Sequence, residues 1–399
     1  MSPADAAAAA RDWLLGPGAK LRFLEDVFAG VCARLRDGGL PLERATLHSR
    51  ALHPQFHAVR FLWQPGFGRA ELARVGAHML SARAYLQSPV RALYEGAEGL
   101  RQRLDIPTDR PDRFSIYTEL RADGFTDYAA LPLVFSNDQR IASSWATRRP
   151  GGWTTEELVA IDTVRPLLAM AAEIRILRRT GRNIAETYLG PRAGARVLEG
   201  KIHRGDIEWI DAVIGYLDLR RFTQLVDQQP QERVIHCLNR FFDVFGDPVD
   251  ALGGEILKFM GDAMLTIFPV DGDLADAAER AVDAAVTGFR GLGELNEEFA
   301  RCGEPPLACG LGLHHGEVSY GNIGTATRLD FTVIGAAVNV AARLQQLSRD
   351  LDEPFLMSRD VAHACGHPVR AVGRFDLRGV AATREVYAPA DPVDAEMPR

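Results

Sequence analysis

Apolar residues recur every three or four positions in some stretches of the chain and every second position in others, and the two periods mark out its elements. Leu21, Leu24, Val27, Phe28, Val31 and Leu35 have helical spacing, whereas Arg44–Leu52 and His57–Trp63 read as strands split by His53-Pro54. A helix is expected over Phe114–Ala122, then strands over Thr126–Phe135 and Arg140–Thr147 around a Ser136-Asn137-Asp138 turn. Thr154, with Glu157 three residues on, reads as the capping box of a long helix through Leu158, Ile161, Val164, Leu168, Ala171 and Ile174. Pro166 is expected to kink it, and this helix or a second one runs over Ile184–Leu198.

The second half alternates more regularly. Trp209–Leu217 reads as a strand, Glu232–Leu252 as a helix, and Glu255–Phe259 with Ala263–Phe268 as two strands around a tight Met260-Gly261-Asp262 turn. A helix over Leu274–Phe299, a strand over Leu307–Leu313, a short strand Phe331–Ile334 and a helix Ala336–Leu347 follow. This β-α-β-β-α-β order, with added strands at Pro354–Met357 and Glu385–Tyr387, predicts an α+β, ferredoxin-like plan. The expected division is a tail over 1–20 and a mixed α/β domain over 21–153. A helical linker over 154–205 follows, acting as dimer contact and relay or simply packing on the first domain. A second domain over 206–390 and a tail over 391–399 complete the chain.

Composition narrows the class. A chain of 399 residues, 47% hydrophobic and 25% charged, is globular and long enough for two domains. Its net charge of −7 argues against a broad basic face for nucleic acid. Of 46 basic residues only Lys20, Lys201 and Lys258 are lysine, so a lysine kept inside a motif is informative. Five scattered cysteines without a CxxC pair suit a reducing compartment, and neither a signal peptide nor a membrane span is apparent; a cytoplasmic location is expected.

Three clusters carry chemistry. In Asp218-Leu219-Arg220-Arg221-Phe222-Thr223 an apolar strand ends in a carboxylate ahead of a helix start, where orphan N–H groups favour anions. In Glu255-Ile256-Leu257-Lys258-Phe259-Met260-Gly261-Asp262 a lysine stands among apolar neighbours and an aspartate sits at a hairpin tip. If Asp218 and Asp262 converge, two facing carboxylates call for a divalent cation. Asn339 and Arg343, four apart, share one helix face after Thr332-Val333-Ile334-Gly335 and can quench charge on a phosphorus centre. Alone, each has a bland alternative: a turn aspartate, a hairpin tip, a solvated helix face.

Taken in order, Asp218…Phe222-Thr223, Lys258-x-x-Gly261-Asp262, Asn322-Ile323-Gly324 and Thr332-Val333-Ile334-Gly335…Val338-Asn339-x-x-x-Arg343 resemble the catalytic domain of class III adenylate/guanylate cyclases over about residues 206–390. The resemblance implies metal ligation by Asp218, Asp262 and the Leu219 carbonyl, with two Mg²⁺ or Mn²⁺ ions per site. It implies a phosphate cradle at Phe222 and Thr223, purine reading by Lys258 with Thr332 rather than Asp330, catalytic roles for Asn339 and Arg343, and phosphate binding by Arg378. Arg221 and Arg378 depart from the family's glycine and lysine. ATP as substrate and a homodimer with two shared sites follow from the same likeness. Guanylate cyclase, or a nucleotide-binding regulatory module with negligible turnover, stands as the alternative. Residues 21–153 resemble a GAF-type sensory domain by pattern alone, with an unidentified small-molecule or protein signal; Trp63, Tyr128, Trp145 and Trp153 are expected as core.

Overall fold

A computed structural model describes residues 1–51, 53, 55–107, 112–380 and 382–391. The chain divides into two compact units, Met1–Thr187 and Tyr188–Arg399. The first contains helices α1 (Pro3–Leu15) and α2 (Leu24–Asp37), strands β1 (Arg44–Arg50), β2 (Ala58–Trp63) and β3 (Glu71–Val75), and short helices α3 (Ala77–Ser81), α4 (Arg83–Leu86) and α5 (Pro89–Tyr94). Strand β4 (Leu100–Arg103), helix α6 (Ser115–Ala122), strands β5 (Asp127–Val134) and β6 (Arg140–Thr147) and the long helix α7 (Thr155–Leu189) follow. Its sheet runs β3-β2-β1-β6-β5-β4, antiparallel throughout. Alternation along the strands sends Leu47, Phe61, Trp63 and Trp145 into a core shared with Leu14, Phe28, Ile161 and Leu168 from α1, α2 and α7.

Residues 1–20, expected as a tail, are instead part of that core. Ser2 and Asp5 form a reciprocal capping box, with Ser2 N–H donating to Asp5 (2.9 Å) and Asp5 N–H to Ser2 (3.2 Å), so the alanine run starts a stable helix. Ala6, Ala7, Ala10 and Leu14 are buried, and a Cβ at Gly38 would lie 2.3 Å from that of Ala6. Small residues therefore let α1 approach the end of α2, a packing role that low hydrophobicity concealed. Arg175 fixes the chain beyond α1 by donating to the carbonyls of Gly18 (3.0 Å), Ala19 (3.1 Å) and Leu21 (2.7 Å). The Thr154–Glu157 capping box of α7 forms as expected (2.8 and 3.2 Å). The expected linker splits: the first turns of α7 bury Ala160, Ile161, Val164 and Leu168 in the first unit, whereas Ala193 beyond it is buried in the second. Of the expected C-terminal tail, only Asp391 lies within the described residues.

The second unit comprises α8 (Pro191–Leu198), β7 (Ile207–Leu219), α9 (Phe222–Gln228), α10 (Gln231–Ala251), β8 (Glu255–Met260), β9 (Ala263–Pro269), α11 (Leu274–Cys302) and β10 (Cys309–Gly324). It continues with β11 (Leu329–Ile334), α12 (Ala336–Asp350), β12 (Phe355–Ser358), α13 (Arg359–Ala364), β13 (Val369–Phe375) and β14 (Arg384–Pro389). The sheet order is β13-β14-β12-β10-β7-β9-β8, with β11 paired to β10. Its β10-β7-β9-β8 portion, antiparallel throughout, is the ferredoxin-like arrangement. Strand β10 extends well beyond the expected Leu313, because His314 to Gly321, polar and glycine-rich as a turn would be, stay paired with β7.

One sheet face packs Val213, Leu217 and Leu219 against α10 and α11. The other carries Ala212, Ile214 and Tyr216 and is covered by α8 and the start of α12. Buried Glu255 ties α8 to this face, accepting from Tyr320 Oη (2.9 and 3.0 Å) and from the Ala193 N–H (3.3 Å). Between β7 and α9, Arg221 adopts a left-handed backbone with φ +61°, a conformation glycine takes without strain.

Two outcomes are expected. Arg175→Ala should destabilise the protein by about 1.5–3 kcal/mol in denaturant unfolding, since it removes charge-assisted hydrogen bonds to three main-chain carbonyls; an unchanged midpoint would refute the tethering role. Arg221→Gly should stabilise by about 1 kcal/mol through relief of the left-handed strain, and a loss of similar size would show that its side chain outweighs that strain.

Candidate active site

Strand β7 ends at Asp218 and Leu219, and its register with β9 sets Asp218 opposite Ala263, next to Asp262 in the β8–β9 turn. The two-residue loop has a positive φ at Gly261 (+67°), a tight turn that returns the chain beside the end of β7. Leu219 N–H donates to the Asp262 carbonyl at 3.4 Å. Burial raises the Asp218 pKa, and the negative charge of Asp262 raises it further, against the lowering effects of Arg349 and Gln345. The two carboxylates thus interact. Asp218 accepts from Arg349 Nη2 (3.2 Å) and Gln345 Nε2 (3.3 Å), both on α12. Two neighbouring carboxylates present hard oxygen donors, which suit a divalent cation.

Beside this pair opens a cleft of about 630 Å³ lined by Leu219, Arg220, Arg221, Phe222, Thr223 and Arg349, among others. Phe222 and Thr223 begin α9, so their N–H groups lack acceptors within the helix and are available to an anion. Arg220 is anchored by its N–H to the Ala308 carbonyl (2.7 Å) and its guanidinium to the Ser348 carbonyl (2.8 Å). Arg220 pairs with Asp352 (3.1 Å) and Arg349 with Asp218, which leaves Arg221 as the cleft arginine without an ion pair among the described residues.

The remaining candidates form two further groups. A bulge in β8 leaves Leu257 without a cross-strand partner and sets Lys258 opposite Leu265. The Lys258 ammonium pairs with Asp330 of β11, the residue that the resemblance had passed over in favour of Thr332. Asp330 and Thr332 alternate with buried Phe331 and Val333, so both lie on the outward face of β11. On α12, Asn339 is exposed, while Val340, Ala341 and Leu344 are buried. Arg343 donates to the Arg378 carbonyl (3.1 Å) and to Gln346 (2.5 Å), which brings the two candidate phosphate-facing arginines together. Among the described residues, no hydrogen bond or ion pair connects the Asp218 group to the Lys258 or Arg343 groups.

Gln345, Arg349 and Asp330 were not singled out from sequence. The first two had a legible sign, since they repeat the four-residue spacing of Asn339 and Arg343 on the same helix. Asp330 had none, because its contact depends on how β11 folds toward β8. Of the two adjacent histidines at 314 and 315, His314 is buried with its pKa drawn down to about 4, and His315 pairs with Asp211 at 2.8 Å.

Comparison with known proteins bears on this unit. The family described as "Adenylate and Guanylate cyclase catalytic domain" matches residues 209–382. An uncharacterized protein of Mycobacterium tuberculosis is 37% identical over 161 residues, 40% of this chain and 28% of that protein. An adenylate cyclase of Anabaena cylindrica is 31% identical over 157 residues, 38% of this chain and 30% of that protein. The crystal structure of the adenylyl cyclase CyaB from P. aeruginosa is 25% identical, with a TM-score of 0.43, over 46% of this chain and 96% of that one. This chain spans about a third of the length of the curated relatives it matches. Among the described residues, no helix is long and apolar enough to cross a membrane. The chain carries, over residues 209–382, a catalytic domain of the class III adenylate/guanylate cyclase family.

Proposed function

We propose that the second unit is an adenylate cyclase, converting ATP to 3′,5′-cyclic AMP and pyrophosphate at two sites shared across a homodimer, under control of the first unit as a GAF-like sensor in the cytoplasm. The observation that carries the shared site is that no hydrogen bond or ion pair joins the three groups just described within one subunit, although all are needed around one nucleotide. A second copy supplies what is missing. Its docking is supported by the β7–β10–β11 arm, where register sets Trp209 beside Ser319 and Ser319 beside Ile334; Trp209 is 65% and Ile334 54% exposed.

In this reading Asp218, Asp262 and the Leu219 carbonyl hold two Mg²⁺ or Mn²⁺ ions. These supply Lewis-acid activation of the ribose 3′-hydroxyl and neutralise the triphosphate. The N–H groups of Phe222 and Thr223 cradle the β- and γ-phosphates. From the other subunit, Lys258 and Thr332 read the purine edge and Asn339 fixes the ribose for in-line attack on the α-phosphorus. Arg343 meets the charge that develops there, and Arg378 adds a phosphate contact. No protein nucleophile takes part. ATP is favoured over GTP by Lys258 with Thr332, and by the similarity to the Anabaena adenylate cyclase.

Product analysis with Mn²⁺ should give cyclic AMP from ATP and little cyclic GMP from GTP; cyclic GMP as the main product would make it a guanylate cyclase. Asp218→Ala and Arg343→Ala should each lose about 10²–10³ in rate, and an equilibrated mixture of the two should recover about a quarter of wild-type activity from heterodimers with one intact site. No recovery despite demonstrated subunit exchange would rule out shared sites.

Because the Asp218 pKa is raised in the fold, its charged form is disfavoured there, and a cation must displace its proton as pH falls. The Mn²⁺-induced rise in unfolding temperature should therefore shrink on acidification through that raised pKa and vanish in Asp218→Asn. A pH-independent rise would assign the metal elsewhere.

A further inference from the structure

The first unit holds a cationic cluster that the cyclase reaction does not use. Alternation along β1 puts Arg44, Thr46 and His48 on the sheet face opposite to Ala45 and Leu47, which enter the main core. Register then sets His48 across from Arg60 on β2, and Thr46 across from Ser144 on β6. Tyr128 of β5 shares this face, across from Ala146. Leu93 of α5 and Tyr117 and Leu120 of α6 pack with Tyr128, Ala130 and Ala142, so the face is largely covered.

The polar groups on this face form a connected set. Thr46 Oγ1 lies 2.6 Å from Ser144 Oγ and 3.1 Å from His48 Nε2, and Tyr94 Oη donates to the His48 carbonyl at 2.8 Å. His48 stays neutral, its pKa drawn down to about 3 by burial and then by the charges of Arg60 and Arg44.

The two arginines break the pattern of the unit. Other arginines of the first unit drawn into its packing are paired: Arg149 with Glu157 (2.6 Å), Arg121 with Asp112 (2.6 Å), and Arg175 with three carbonyls. The Arg44 and Arg60 side chains make no hydrogen bond or ion pair among the described residues. Exposed Arg60 alone would be an ordinary solvated side chain. Arg44 is mostly covered, and burial lowers its pKa, with Glu119 and Asp123 acting only through space. A guanidinium largely withdrawn from water without a protein partner, and within electrostatic reach of a second one, is costly unless an anion joins them.

We propose that this face is a binding site for a small oxyanion-bearing ligand, a carboxylate or a phosphate group, held between Arg44 and Arg60 with the hydroxyls of Thr46 and Ser144 alongside. The hydroxyl protons can rotate toward an incoming oxygen, and two guanidiniums match the flat, multi-oxygen edge of either group. The site lies wholly within the first unit, and its existence does not depend on the cyclase reading.

The test is calorimetric titration of the full chain with inorganic phosphate and with acetate, each against sodium chloride of equal ionic strength. A saturable heat with at least one of them is expected, and the responding anion identifies the source; no heat beyond sodium chloride with either overturns the proposal. Phosphate can also meet the arginines of the second unit, so the assignment rests on Arg44→Met and Arg60→Gln. Each should weaken binding about tenfold or more, the loss of one charge-assisted contact, and undiminished binding in both overturns the site. Arg44→Met should in addition raise the unfolding midpoint in sodium chloride alone, because it removes an unpaired covered charge; a structural arginine would lower it. Should Arg44→Met fail to fold, Arg60→Gln, on the exposed edge, still decides the matter.

Discussion

The antiparallel ladder between β7 and β10 sets the position of everything else in the second unit. It runs from Leu219 opposite Cys309 to Ile207 opposite Gly321. At one end it delivers Asp218 beside the β8–β9 turn; at the other it carries β11, with Asp330, Thr332 and Ile334. A slip of one residue would exchange Asp218 and Tyr216 with Leu217 and Leu219, sending the carboxylate into the α10–α11 core. Register, enforced by burial on both faces, is therefore what makes a metal-binding face possible.

Three charged candidates rest on a neighbour from their own subunit: Asp218 on Arg349 and Gln345, Lys258 on Asp330, Arg343 on the Arg378 carbonyl and Gln346. These contacts are partly exposed, and such pairs contribute roughly 0–1 kcal/mol each. Substrate and metal can exchange them at little cost, while the contacts keep the side chains near their working positions. The arginine pair in the first unit differs, since the Arg44 and Arg60 side chains have no such resting partners among the described residues.

The second unit was largely legible because its elements follow strong periodicities and its chemistry sits at element ends. Asp218 ends a strand, Asp262 occupies a tight turn, and Asn339 and Arg343 share a helix face. What sequence hid were contacts between elements distant in the chain, such as Lys258 with Asp330 and Asp218 with Arg349. Composition also misled in two places. The alanines of α1 read as a tail because close packing by small side chains resembles low hydrophobicity. The expected strand stopped at Leu313 because His314 to Glu317 carry no apolar residue, although Val318 and Tyr320 beyond them are buried. In the first unit, a GAF-like pattern suggested a sensor but gave no chemical motif, since Arg44, His48 and Arg60 meet only through strand register.

The central claim is that one subunit holds half of each active site. Specific activity should fall on dilution in step with the dimer fraction measured by sedimentation at the same concentrations. Constant activity per chain in a solution shown to be monomeric would contradict it.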